Sequence, residues 1–170
     1  MDYKLYESEV VKRNYRVMGD IIENSIQYWD GSDLTMSYHK YNVFGLTSPT
    51  QVFYDLFKEL RGFVYDYMGD CDSLWMQSWL NYHMPHEVLK WHNHSWPVHG
   101  YINVRPHKTK TNFGNYEVDN EIGLIYIGPG DASHKVDVIE EYDTPRITLG
   151  FDLTDRPEKA SANLGLIPFP

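Results

Sequence analysis

Ile122-Gly123-Leu124-Ile125-Tyr126-Ile127, followed at once by Gly128-Pro129-Gly130-Asp131, is apolar at both parities and is then closed by turn residues. A strand exposed on one face alternates apolar and polar side chains, so a run apolar throughout predicts a strand buried on both faces. Beyond the turn, residues 134–139 and 146–153 are β-branched or aromatic runs bounded by Gly, Pro and Asp, and so are residues 73–82 and 99–104 on the other side.

The first third of the chain has a different period. Ser48-Pro49-Thr50-Gln51 reads as an N-cap, a proline at the first helical position and a capping-box Gln. Val52/Phe53, Leu56/Phe57, Leu60, Phe63/Val64 and Tyr67 then recur on one helical face that stops at Gly69. Residues 10–29 carry a similar spacing, with Gly19 as a point of interruption, and Asp30-Gly31-Ser32-Asp33 closes them as a turn. Helices followed by five or more short strands predict an α+β fold, an antiparallel barrel or jelly roll braced by helices outside. There is no internal repeat or Gly/Ser/Pro-rich linker, so the expectation is one domain over residues 1–170. It comprises a helical part at about 1–69, a barrel at about 70–155 and a C-terminal tail.

Composition narrows the function. Twenty-four Asp and Glu against 15 Lys and Arg give a net charge of −9, which opposes nucleic acid or an anionic membrane as principal partner. The local basic cluster, Arg105-Pro106-His107-Lys108-Thr109-Lys110, reads as a solvated hairpin loop. Cys71 stands alone, which excludes an internal disulfide and a Cys-based zinc cluster and fits a reducing compartment. No apolar run has the roughly 18 residues of a membrane span, and Met1-Asp2-Tyr3-Lys4 does not open a signal peptide. A cytoplasmic protein is expected.

Six of the eight histidines, from His83 to His107, fall within 25 residues. Imidazole is the commonest metal ligand, so the chemistry is to be sought there. Within Trp91-His92-Asn93-His94-Ser95-Trp96, a strand would aim His92 and His94 at the same face, where they either meet one ion or face solvent. His134 shares its parity with Val136 and Val138 and so points inward, as a ligand or as a satisfied core histidine. In residues 146–153, Ile147, Leu149, Phe151 and Leu153 occupy one face, and Arg146, Thr148 and Gly150 the other. If the apolar face packs on the helix that starts near Ser48, Arg146 points into the barrel. There it requires an anion, supplied by an internal salt bridge or by a bound carboxylate.

The order H-x-H at His92 and His94, about 40 residues, a distal His134 after a Gly-Pro turn, then Arg146-x-Thr148 resembles the 2-oxoglutarate/Fe(II)-dependent dioxygenase superfamily. The resemblance covers roughly residues 79–153. It is nearest to short oxygenases with His in the usual place of the metal-binding carboxylate, of a kind common in phage, which would place this protein in a host cytoplasm. It implies a double-stranded β-helix, with His92, His94 and His134 as iron ligands. Arg146 and Thr148 would hold the distal carboxylate of 2-oxoglutarate, with Asn81 contacting the same cosubstrate. The implied reaction hydroxylates a small molecule or a protein side chain and releases succinate and CO2. Trp79, Trp91 and Trp96 are candidates for the wall that keeps such a site dry. The usual triad is two His and one carboxylate, so the third His leaves the site one negative charge short. Asp131, three residues before His134, is a candidate source of that charge.

Two other readings stay open. Gly123, Pro129 and His134 imitate the second cupin motif and the H-x-H imitates the first, although the expected Glu is missing; this leaves a three-His dioxygenase without 2-oxoglutarate. A non-catalytic barrel that binds a ligand is the other. Arg146-x-Thr148 favours the 2-oxoglutarate reading over the cupin one, because a cupin has no general need for it.

Overall fold

A computed structural model describes residues 2–28, 40–69, 71, 73–156 and 165–169. The expected helix end at Trp29 and the turn at Asp30-Gly31-Ser32-Asp33 lie outside the described residues. The chain runs β1 (Lys4–Glu7), α1 (Glu9–Ser25), α2 (Val43–Thr47), α3 (Gln51–Met68), β2 (Trp75–His83), β3 (Val98–Arg105), β4 (Thr109–Asn112), β5 (Glu117–Asp119), β6 (Leu124–Pro129), β7 (Lys135–Val138), β8 (Arg146–Thr154) and β9 (Ile167–Pro168). It is an α+β fold with two antiparallel sheets, one six-stranded in the order β1-β6-β3-β8-β2-β9 and one three-stranded in the order β5-β4-β7.

The inner strands of the six-stranded sheet, β6, β3, β8 and β2, are buried on both faces, which is what the double-parity run predicts for β6. On one face, Ile125 and Ile127 of β6 and Ile147, Leu149, Phe151 and Leu153 of β8 share a buried cluster with Val11, Met18 and Ile22 of α1 and Phe53, Leu56, Leu60 and Val64 of α3. Each such side chain contributes about 1.5–3 kcal/mol when fully buried. On the other face Tyr101 and Tyr126 stack at 5.3 Å and join Phe113 and Val118, side chains from the region of the smaller sheet.

The helices differ from expectation at their ends. Gly19 does not interrupt α1; the Arg105 guanidinium packs so closely there that a Cβ would lie 3.1 Å from Nη2. The α1 N-cap is Ser8, whose hydroxyl accepts from the Val11 N–H at 3.0 Å. The cap expected at Ser48 is instead Thr50. Asn42 starts a short helix earlier by accepting from the Gly45 N–H at 3.1 Å, and Ser48 becomes the C-cap of that helix. Gly69, at φ 79°, ends α3 as read.

The expected barrel is not a continuous hydrogen-bonded cylinder among the described residues. The chain leaves one sheet for the other at Pro106, which has no N–H to give, and at His107, whose φ of 55° turns the backbone away. The basic cluster is correspondingly less solvated than expected. Arg105 pairs with Glu23 at 2.6 Å, and Thr109 is buried at the start of β4. No helix among the described residues is long and apolar enough to cross a membrane.

Candidate metal centre and anion pocket

The register of the large sheet lines up polar residues on its inner face. Across β2, β8 and β3 the rows are Gln77–Asp152–His99, Trp79–Gly150–Tyr101 and Asn81–Thr148–Asn103, and His83 pairs with Arg146 where β2 ends and β8 begins. Gly150 has no side chain because Trp79 fills its place: a Cβ there would lie 2.4 Å from the indole.

His92 and His94 are not on a strand, contrary to the sequence reading. They sit in a loop that an isolated antiparallel bridge ties to the distal histidine. The His92 N–H donates to the His134 carbonyl at 3.0 Å, and the His134 N–H returns a bond to the His92 carbonyl at 2.8 Å. The His94 N–H donates to Gly130 O at 2.8 Å, and the Gly130 N–H to Pro97 O at 3.3 Å. Gly130 is required for this clasp, since a Cβ would lie 1.9 Å from Trp96 O. Main-chain bonds, rather than strand parity, bring the three imidazoles together.

One ring nitrogen from each of His92, His94 and His134 can be chosen so that all three lie within 4.8 Å of one another. The other ring nitrogens are committed. His92 Nδ1 donates to Lys90 O at 2.7 Å, His134 Nδ1 to Ala132 O at 2.9 Å, and His94 Nδ1 to Asp152 Oδ2 at 3.2 Å. Each ring therefore keeps its Nε2 lone pair for the cavity, and His94 Nε2 is buried with no hydrogen-bond partner among the described residues. Burial lowers the His92 pKa and holds His134 down at about 2, so both stay neutral, the form that binds metal.

Two residues the sequence reading did not single out complete the cluster. His99 donates from Nδ1 to Asp152 Oδ1 at 2.9 Å and stacks on His94 at 3.8 Å. Burial lowers its pKa to about 4. Burial alone would raise the Asp152 pKa, but the hydrogen bonds from His94 and His99 hold it at about 2, so it is ionised. The signal for Asp152 was present: it has the parity of Arg146, Thr148 and Gly150. Asp131 lies exposed on its turn and outside the cluster.

A cavity of about 300 Å³ joins this cluster to the other predicted residues, lined by His92, His94 and His134 together with Asn81, Arg146 and Thr148. Asn81 Nδ2 donates to Thr148 Oγ1 at 3.2 Å. Arg146 is 3% exposed, its Nε has no hydrogen-bond partner, and no carboxylate among the described residues is in salt-bridge range. Burial lowers its pKa to about 10, which leaves it cationic at neutral pH. An unpaired buried guanidinium is costly, so the internal salt bridge that was the bland alternative is not what satisfies it. Trp79 lines the same cavity, while Trp91 does not and is half-exposed with the Lys135 ammonium over its ring.

No protein-family model matches the chain, and no curated protein matches it in sequence. Solved structures do match in shape. The non-heme alpha ketoglutarate dependent epimerase SnoN from nogalamycin biosynthesis superposes with a TM-score of 0.59 at 8% identity, over 91% of this chain and 77% of that one. HygX from Streptomyces hygroscopicus, solved with iron bound, gives 0.57 at 9% identity, over 89% and 81%. A Pseudomonas putida prolyl-4-hydroxylase gives 0.52 at 10% identity, over 89% and 86%. At such identities the likeness is one of fold, and the chain shares its fold with these proteins.

Proposed function

We propose that the protein is a 2-oxoglutarate- and Fe(II)-dependent dioxygenase that hydroxylates an unidentified substrate and releases succinate and CO2. The observation that carries the reading is Arg146: a buried guanidinium without a protein anion, in the same cavity as three imidazoles whose free nitrogens converge. A metal alone would need only the histidines. A cofactor-free barrel would need neither. A dicarboxylate that chelates a metal at one end and meets Arg146 at the other accounts for both.

The donor set fits Fe(II), for which imidazole nitrogen is a suitable ligand. On this reading His92, His94 and His134 hold the ion, Arg146 and Thr148 bind the distal carboxylate of 2-oxoglutarate, and Asn81 fixes the Thr148 hydroxyl from the neighbouring strand. The bound metal and cosubstrate supply the oxidising chemistry. The chain's own part is to orient the dicarboxylate along β8, keep His92 and His134 neutral by burial, and line the cavity with Trp79 and Tyr101 to exclude water. At about 300 Å³ the cavity is at the small end of ligand clefts. It suits the cosubstrate with one reactive group of a small molecule or a protein side chain. The fold on this reading is a double-stranded β-helix with the helices outside, acting as one domain.

Single substitutions test the division of labour. Arg146→Ala is expected to weaken 2-oxoglutarate binding by at least about 10-fold, the loss of a charge-assisted pair, while Fe(II) binding measured anaerobically stays near the parent value. His92→Ala is expected to lose Fe(II). Retained 2-oxoglutarate affinity in Arg146→Ala would reduce Arg146 to a structural residue and return the protein to the cupin-like or binding-module readings.

A further inference from the structure

Three neutral imidazoles bring no charge to a divalent ion, yet a full negative charge is buried one side chain behind them. Asp152 is 0% exposed, and its hydrogen-bond donors are two imidazoles and an amide. Its Oδ2 accepts from His94 Nδ1 at 3.2 Å and from Gln77 Nε2 at 2.9 Å, and its Oδ1 accepts from His99 Nδ1 at 2.9 Å. No Lys or Arg among the described residues lies in salt-bridge range of it. A buried carboxylate with no Lys or Arg beside it is as anomalous as Arg146 without an anion, and His94 is what separates it from the convergence point of the ring nitrogens.

Resting on the metal site proposed above, we propose that Asp152 is the positioning carboxylate of that site. It locks His94 as the Nδ1–H tautomer with Nε2 aimed into the cavity, and it supplies through the ring the negative charge that a ligating carboxylate would otherwise bring. Since the carboxylate only accepts, it fixes the tautomer. The ring is also held in orientation, because His99 stacks on it at 3.8 Å and 11° and Trp79 lies at 5.5 Å and 24°. His99, whose Nδ1–H is spent on the same carboxylate, serves as the second leg of this support. The pattern is a carboxylate–histidine–metal relay, in which the outer group orients the ligand and raises its basicity. It also explains why a histidine is tolerable at position 94: the charge is moved outward by one side chain.

The test uses Asp152→Asn, which keeps the size but presents an NH2 to one of the two imidazole donors. Nitrogen-15 NMR of the metal-free parent should show His94 and His99 both as Nδ1–H tautomers, and the variant should show one of them switched to Nε2–H. With Co(II) as the probe, the variant should bind about 10- to 100-fold more weakly and show displaced visible bands, its far-UV circular dichroism unchanged. A variant that binds Co(II) as tightly as the parent, with an unshifted spectrum, overturns the positioning role while leaving the metal site intact. A parent that binds neither Co(II) nor Fe(II) overturns the metal reading and this proposal with it. Should the variant not fold, the parent spectrum still decides, because an Nε2–H His94 contradicts the proposal.

Discussion

At the scale of single residues, the site depends on side chains that cannot be changed independently. Gly150→Ala places a methyl 2.4 Å from the Trp79 indole, so the tryptophan must leave the cavity wall. We expect a loss of about 1–3 kcal/mol in urea unfolding, with Trp fluorescence shifted to the red. His94→Asp restores the common triad, and Fe(II) binding should persist because an Asp oxygen is a competent ligand. Equilibrium dialysis beside His92→Ala, which should lose the metal, checks this. That His92, His94, His134 and Arg146 share one cavity was legible because their spacing resembles a known order, and parity aimed Arg146 inward. His99 was not legible, since a lone His among apolar strand residues looks the same whether buried or solvated, and Asp152 shared the parity of Arg146 but belonged to no motif that named it. Only the pairing of β3 with β8 puts them side by side.

At the scale of elements, the clasp between the 91–97 loop and the 129–134 turn decides whether three imidazoles meet. Gly130→Ala forces the two segments apart at Trp96 O. We expect a lower melting temperature, and a smaller rise on adding Zn(II) than the parent shows, since metal stabilisation follows affinity. An unchanged metal-induced rise would mean the clasp is dispensable. The long strands and α3 were readable from periodicity. β1, β4 and β5 were not: at three or four residues, with lysines, threonines and acids among them, they carry no hydrophobic alternation and exist through pairing, β1 with β6, β4 with β7 and β5 in a hairpin with β4. The histidine loop was misread as a strand because its main-chain bonds go to the turn around Gly130 and His134, a partner that local sequence does not name.

At the scale of the whole molecule, the buried histidines couple stability to pH. His99 and His134 hold folded pKa values of about 4 and about 2 against about 6.5 in an unfolded chain. As pH falls below about 6.5, the unfolded chain takes up protons that the fold refuses. Each imidazole then costs the metal-free fold up to about 1.4 kcal/mol per pH unit, for His99 until pH reaches about 4. Denaturant midpoints measured from pH 7.5 to 4.5 should therefore fall steeply, and a flat profile would contradict burial of these rings as neutral groups. The α+β class was legible from the order of periodicities. The separation into two sheets was not, because it turns on the backbone at Pro106 and His107. The central claim joins the two ends of one cavity, imidazoles at one and an unpaired guanidinium at the other. It is tested most directly by anaerobic titration of the protein with Fe(II) and then 2-oxoglutarate, following bound metal and the visible absorption of the chelate. The account predicts one Fe(II) per chain and a new charge-transfer band that saturates with one 2-oxoglutarate and is absent in Arg146→Ala at the same concentration. A parent that takes up neither Fe(II) nor 2-oxoglutarate contradicts it.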